Sequence, residues 1–148
     1  MELQWAVKRF DQLTTRELYA IYKAREAVFV VEQDCPYEEV DAHDLDSLHL
    51  FAEDQMHNVV AYSRIFLEKE QVSFGRVLVN RKNRGQGLGR ILVSRVLESI
   101  NEHYPNRPVE IEAQEYVQSF YTSFGFRPLS KVFLLDNIPH LKMRLDHA

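Results

Sequence analysis

Short runs of alternating apolar and polar residues divide this chain, and helical spacing interrupts them at three places. The opening run "WAVKRF" (5–10) predicts a first strand. Thr14, with Glu17 three residues on, forms a capping box, and Leu18, Ile21, Tyr22, Val28 and Phe29 then recur near helical spacing, which predicts a helix over 14–32. An acidic, polar stretch over 32–47, broken by Pro36, reads as a long loop or a short helical turn, and long ordered loops tend to carry function.

"SLHLFAED", "NVVAYSRIFLEKE" and "VSFGRVLVN" follow as a three-stranded meander, with turn residues around 54–58 and 69–71. After a glycine-rich knot, Leu88, Ile91, Leu92, Val96, Leu97 and Ile100 form one apolar helical stripe that ends at "YPNRP". "VEIEAQ" is a further strand, "YVQSFYTSFG" a short helix stopped by Gly125, and "KVFLLD" and "HLKMRL" two last strands. The order β-α-loop-β-β-β-α-β-α-β-β predicts a sheet of mixed direction with helices on its faces, in the α/β or α+β class.

With 148 residues, 45% of them apolar, and no linker or repeat, a single domain over 1–148 is expected. No apolar run approaches 20 residues and no signal-like start is present, so a cytoplasmic location without membrane contact is expected. The lone Cys35 excludes an internal disulfide, agrees with a reducing compartment, and reads as an unreactive thiol before Pro36. A net charge of −4 argues against a nucleic-acid partner.

The distribution of charge adds more than its sum. Between Arg25 and Arg64 lie ten acids and no lysine or arginine, whereas between Glu70 and Glu98 lie Arg76, Arg81, Lys82, Arg84, Arg90 and Arg95 with no acid. One surface would attract a cation and the other an anion, or both are solvated faces without a ligand. Asp41, His43, Asp44, Asp46 and His49 loosely resemble a metal set, but their spacing matches no metal-binding loop, and no metal is expected.

Gly85, Gly87 and Gly89 surround a helix start, flanked by Arg84 and Arg90. A helix start offers unpaired N–H groups and the positive end of the dipole, and glycines leave it open, so an oligophosphate is the natural ligand. The dinucleotide fingerprint is weakened, because the spacing is G-x-G-x-G and "NRKN" separates it from the strand, although Glu110 lies about 20 residues on. The phosphate loop of nucleotide hydrolases fails for want of Lys-Ser or Lys-Thr.

"RGQGLG" at 84–89 resembles the R/Q-x-x-G-x-G/A signature of the GNAT acetyltransferases. "SFYTSFGFRP" resembles that family's late helix-turn-strand segment, and "REAVFVVEQDCPYEEVDAHDLDSLHL" is similar to its ElaA-like branch. The resemblance implies a GNAT fold, a mixed and mostly antiparallel sheet of about six to seven strands flanked by helices. It also implies a ternary-complex transfer of an acetyl group from acetyl-coenzyme A to a primary amine of a small molecule or peptide. A coenzyme A-binding regulatory module without catalysis is the alternative, and a homodimer stays open.

Residue by residue, the resemblance implies that Arg84, Gly85, Gln86, Gly87, Leu88, Gly89 and Arg90 hold the pyrophosphate. It implies further that Leu78 and Val79 pair their main chain with the pantetheine arm, and that Tyr121 protonates the departing thiolate. Glu110 and Glu112 share one face of their strand, and Glu112, nearer the cleft, is the preferred base unless a water chain does that work. Gln114, where many members carry Asn, would touch cofactor or substrate. Glu32, Asp41, Asp44 and His49 would attract a cationic amine.

Overall fold

The computed structural model describes residues 2–148. Strand β1 (Gln4–Arg9) leads into helix α1 (Thr15–Arg25), which continues as wider π-helical turns over Glu26–Glu32. The short helix α2 (His43–Asp46) precedes the meander β2 (Leu48–Glu53), β3 (Val59–Glu68) and β4 (Gln71–Val79). Helix α3 (Leu88–His103), strand β5 (Val109–Gln114) and helix α4 (Gln118–Thr122) follow. The chain closes with β6 (Arg127–Pro128), β7 (Phe133–Leu135) and β8 (Ile138–Leu145).

The described residues form one eight-stranded sheet in the order β1-β2-β3-β4-β5-β8-β6, with β7 also pairing β8. Every pairing is antiparallel except β4 with β5. The strand beyond the expected six to seven is β6, a two-residue edge piece carrying Pro128, too short to leave a periodic signal.

The capping box predicted at the start of α1 is formed: Glu17 N–H donates to Thr14 Oγ1 at 3.0 Å, and Thr14 N–H to Glu17 Oε1 at 2.8 Å. The predicted helix over 14–32 changes its winding at Glu26, where Gln33 N–H reaches back five residues to Val28 C=O. Val28, Val30 and Val31 crowd that turn with β-branched side chains, which weakens the α-helical preference.

Both faces of the sheet are covered, so β2 is buried along nearly its whole length instead of alternating with solvent. Leu48, Leu50 and Ala52 face α3 in one core cluster with Leu92, Val93, Val96 and Ile100. Phe51, Tyr62 and Leu78 face α1 in a second cluster with Ile21 and Val28. Each fully buried Leu, Ile or Val contributes about 1.5–3 kcal/mol relative to exposure.

Candidate functional site

The parallel neighbours β4 and β5 pair at one position, Val72 with Val109, where Val72 N–H donates to Pro108 C=O at 3.0 Å. Beyond it the strands part. The cause lies on the other edge of β4, where Tyr62 faces Leu78 and Arg64 faces Gly75, so that three steps of β4 oppose two of β3. Arg76 is the extra residue and holds a left-handed φ of 51°. Such a bulge bends its strand, and here it turns β4 away from β5.

The gap is a cavity of about 720 Å³, lined by β4 from Ser73 to Val79, by β5 from Ile111 to Gln114, by Tyr121 of α4, by His140 of β8 and by the segment after α1. That segment roofs one side. Gln33 and Gln114 exchange amide contacts at 3.4 Å, and the Cys35 thiol donates to Asp136 C=O at 3.5 Å.

At the wide end of the gap β4 leads, through a 3-10 turn over Arg81–Asn83, to the glycine loop. Gly85 and Gly87 have φ of 80° and 79°, and Gly87 is the residue that caps α3 without a side chain. A Cβ at either would meet nothing within 4 Å, so backbone conformation and not crowding calls for glycine there. Gly89 has ordinary helical backbone; a Cβ on it would lie 3.9 Å from Phe120, a normal contact. Gln86 is exposed and Leu88 half-buried, leaving the first N–H groups of α3 open to an anion.

The two loop arginines differ. Arg90 rests its guanidinium 4.6 Å above the Phe124 ring and donates to Ser123 Oγ at 3.0 Å, beside the helix start. Arg84 instead forks onto both carboxylate oxygens of Glu32, at 2.5 and 2.8 Å, and its Nε donates to Val79 C=O at 2.9 Å. The hydrogen bond from Arg84 holds the Glu32 carboxyl below its usual range. The expected placement of Glu32 on the acceptor side is therefore corrected: it braces the glycine loop. Leu78 buries its side chain in the second core cluster and Val79 packs its own against the first, so both offer the gap main chain, and Val79 C=O already accepts from Arg84.

Tyr121 is buried against Phe74, Phe120 and Phe126, with ring centroids 5.2–6.1 Å apart. Burial, with the nearby Tyr116, pushes its phenol well above the ordinary value, so it keeps its proton at neutral pH. Its hydroxyl has no hydrogen-bond partner among the described residues and is not sealed from solvent. On β5, Glu112 stands exposed at the cavity wall, while Glu110 is tied to Arg144 at 2.9 Å.

The acidic stretch departs most from expectation. Arg25, with no exposed surface, donates to both Asp44 oxygens at 2.7 and 3.1 Å and to Glu39 at 2.8 Å. Arg64 forks onto Asp41 at 2.6 and 2.9 Å and also reaches Asp44, and Arg76 donates to Glu39 at 2.7 Å. Burial raises the Asp44 carboxyl, but the Arg25 hydrogen bond and the charges of Arg25 and Arg64 outweigh it and hold it below its usual range. Asp41 is lowered in the same way through Arg64.

His49 is wholly buried: its Nε2 lies 2.8 Å from Asp44 C=O and its Nδ1 2.7 Å from the Tyr62 hydroxyl. A carbonyl only accepts, so Nε2 carries the proton and Tyr62 donates to Nδ1. Asp44 and His49 are thus sealed away from any acceptor, and Asp41 is committed to Arg64, which corrects their expected role. Arginines just outside the acid-only stretch fold back to neutralise it. Among the described residues, no group of three or more potential metal ligands is found.

Two features carried no usable sequence signal. The bulge at Arg76 arises inside a run that reads as regular strand. His140, half of a Pro-His pair in a late strand, reaches the cavity only because β8 lies beside β5, with His140 opposite Gln114.

Comparison with known proteins agrees with this architecture. An acetyltransferase (GNAT) domain model matches residues 14–147. Protein ElaA of Escherichia coli K12 is 40% identical over 146 residues, covering 95% of each chain, and the ElaA crystal structure superimposes with a TM-score of 0.91 at 39% identity, covering 97% of this chain and 99% of that one. An acyl-CoA N-acyltransferase from Pseudomonas aeruginosa is similar at 41% identity and a TM-score of 0.93, covering 99% of this chain and all of the other.

Proposed function

Since this chain belongs to the GNAT acetyltransferase family, we propose that it moves an acetyl group from acetyl-coenzyme A directly to a primary amine, within a ternary complex. The observation that carries the reading is the single-point pairing of β4 and β5, which leaves an unpaired β4 edge running from the cavity to an open helix start. An extended pantetheine arm added to that edge would set the thioester between Tyr121 and the roofed side of the cavity, with its pyrophosphate on the Gly85–Arg90 loop. The amine nitrogen attacks the thioester carbon, a backbone N–H of the Leu78–Val79 stretch faces the developing oxyanion, and Tyr121 gives the departing sulfur a proton.

The decisive experiment is an acetyl-coenzyme A turnover screen, read as free thiol, across polyamines, aminoglycosides, amino acids, arylamines and peptide N-termini. Stabilisation by coenzyme without turnover on any amine would leave a binding module instead. Acetyl-coenzyme A is expected to raise the melting temperature, because it binds the native state alone. Gly87→Val is expected to abolish that rise, since a β-branched residue at φ 79° distorts the loop. An unchanged shift assigns the loop another purpose.

A cationic acceptor is proposed here on different residues. Of the charged groups lining the cavity, Arg64, Arg76 and Arg84 are all paired, whereas Glu38, Glu68, Glu112 and Asp136 have no ion partner among the described residues. Cationic acceptors are therefore expected to outperform neutral ones, by a margin that shrinks with salt, as exposed charges are screened within about 10 Å at 0.1 M. Replacing Glu38 by Gln together with Asp136 by Asn should raise KM for a diamine more than for a neutral amine. Equal effects on both across a salt series refute the steering role.

A further inference from the structure

Resting on the transfer reading above, we propose that His140 is the general base that takes the proton from the attacking amine. His140 is 8% exposed and lines the cavity wall beside Gln114. Its Nδ1 lies 2.7 Å from Ile138 C=O. That oxygen can only accept, so Nδ1 carries the hydrogen and the neutral ring presents its lone pair at Nε2. Among the described residues nothing bonds to Nε2, and it is not among the buried unpartnered atoms, so it keeps accessible surface in a residue that lines the cavity. Phe133 stacks on the ring at 6.3 Å and 26°, fixing its plane. An imidazole at the wall of a substrate-sized cavity, with one nitrogen anchored, its plane held and the other nitrogen accessible, is prepared for proton transfer.

The surrounding charges are few. From β5 the neighbour across the ladder is Gln114, with Glu112 paired to Lys142 one step along the same face. The β7–β8 turn brings Asp136, and the segment after α1 brings Gln33 and Cys35. No carboxylate forms an ion pair with the ring among the described residues. Glu112 is the rival, but its carboxylate is exposed, where water competes for its lone pairs.

In the step, the C–N bond forms as the C–S bond breaks. The amine proton passes to His140 Nε2, the Tyr121 hydroxyl proton passes to sulfur, and both side chains reset through solvent in the cavity.

The test uses the full chain with acetyl-coenzyme A and the best amine of the turnover screen. His140→Asn keeps a donor for Ile138 C=O while deleting Nε2, so it should melt near the parent temperature and keep the coenzyme-induced shift. Its kcat should fall about 100- to 10,000-fold, the usual worth of a positioned base. The acidic limb of the pH profile should vanish in His140→Asn and persist in Glu112→Gln, and imidazole added to His140→Ala should restore part of the rate. Nitrogen-15 spectra of the parent ring should show the Nδ1–H tautomer. Full kcat in His140→Asn with an active parent overturns this assignment alone, as does an Nε2–H tautomer; a parent that acetylates no amine overturns the transfer reading and this assignment with it.

Discussion

Tyr121→Phe is expected to lower turnover about 100- to 10,000-fold, while the affinity for acetyl-coenzyme A stays close to that of the parent. The substitution removes one oxygen and keeps the ring that packs on Phe74, Phe120 and Phe126. Because that oxygen has no protein partner among the described residues, its loss strands no donor or acceptor, and the melting temperature should hardly move. Burial holds the phenol protonated across the physiological range, which suits a proton donor and rules out the phenolate as the resting form. The informative measurement is steady-state turnover beside a coenzyme thermal shift on the same preparation. Parental turnover in the variant would make Tyr121 a core aromatic and nothing more.

Asp44→Ala is expected to destabilise the protein by about 3–5 kcal/mol, the cost of leaving a buried charge without its partner. Arg25 would lose two of its four contacts and Arg64 one of its three, and neither guanidinium has water to turn to. A loss of that size removes much of the stability of a domain this small. Replacing the exposed neighbour Asp46 by Asn should change stability by no more than about 0.5 kcal/mol.

The same lattice sets a pH dependence. Asp41 and Asp44 both have folded values below their ordinary 3.8, so their contribution is complete above that value and is lost as pH falls below it through the lowered folded values. Denaturant midpoints measured from pH 6 downward should therefore drop below about pH 4 in the parent and drop less in a folded Asp44→Asn variant. It follows that replacing Asp41 and Asp44 together reports on folding, not on acceptor choice.

The sequence by itself determined what depends on neighbours along the chain. The capping box at Thr14 and Glu17, the helix α3, the glycine loop before it and the succession of strands apart from β6 are local patterns and form as read, although in α3 Ile91 is exposed and Val93 is buried in its place. The cluster of Gly85 and Gly87 at a helix start was legible because it is a pattern of a few consecutive residues, whereas their left-handed backbone is a finding of the structure. Tertiary structure alone decided the rest, because it depends on which distant segments meet. Ten acids in a row without a base read as a negative surface, yet Arg25 and Arg64, at the very ends of that stretch, and Arg76 beyond it turn inward to neutralise its centre. Burial favours that arrangement, since an unpaired carboxylate away from water is far costlier than a paired one. The cavity itself required a single extra residue in β4, and an insertion of one changes strand direction without altering composition. His140 acquires its place only when β8 pairs with β5, a contact that joins residues 26 positions apart (140 minus 114), which nothing in the local pattern around either residue records.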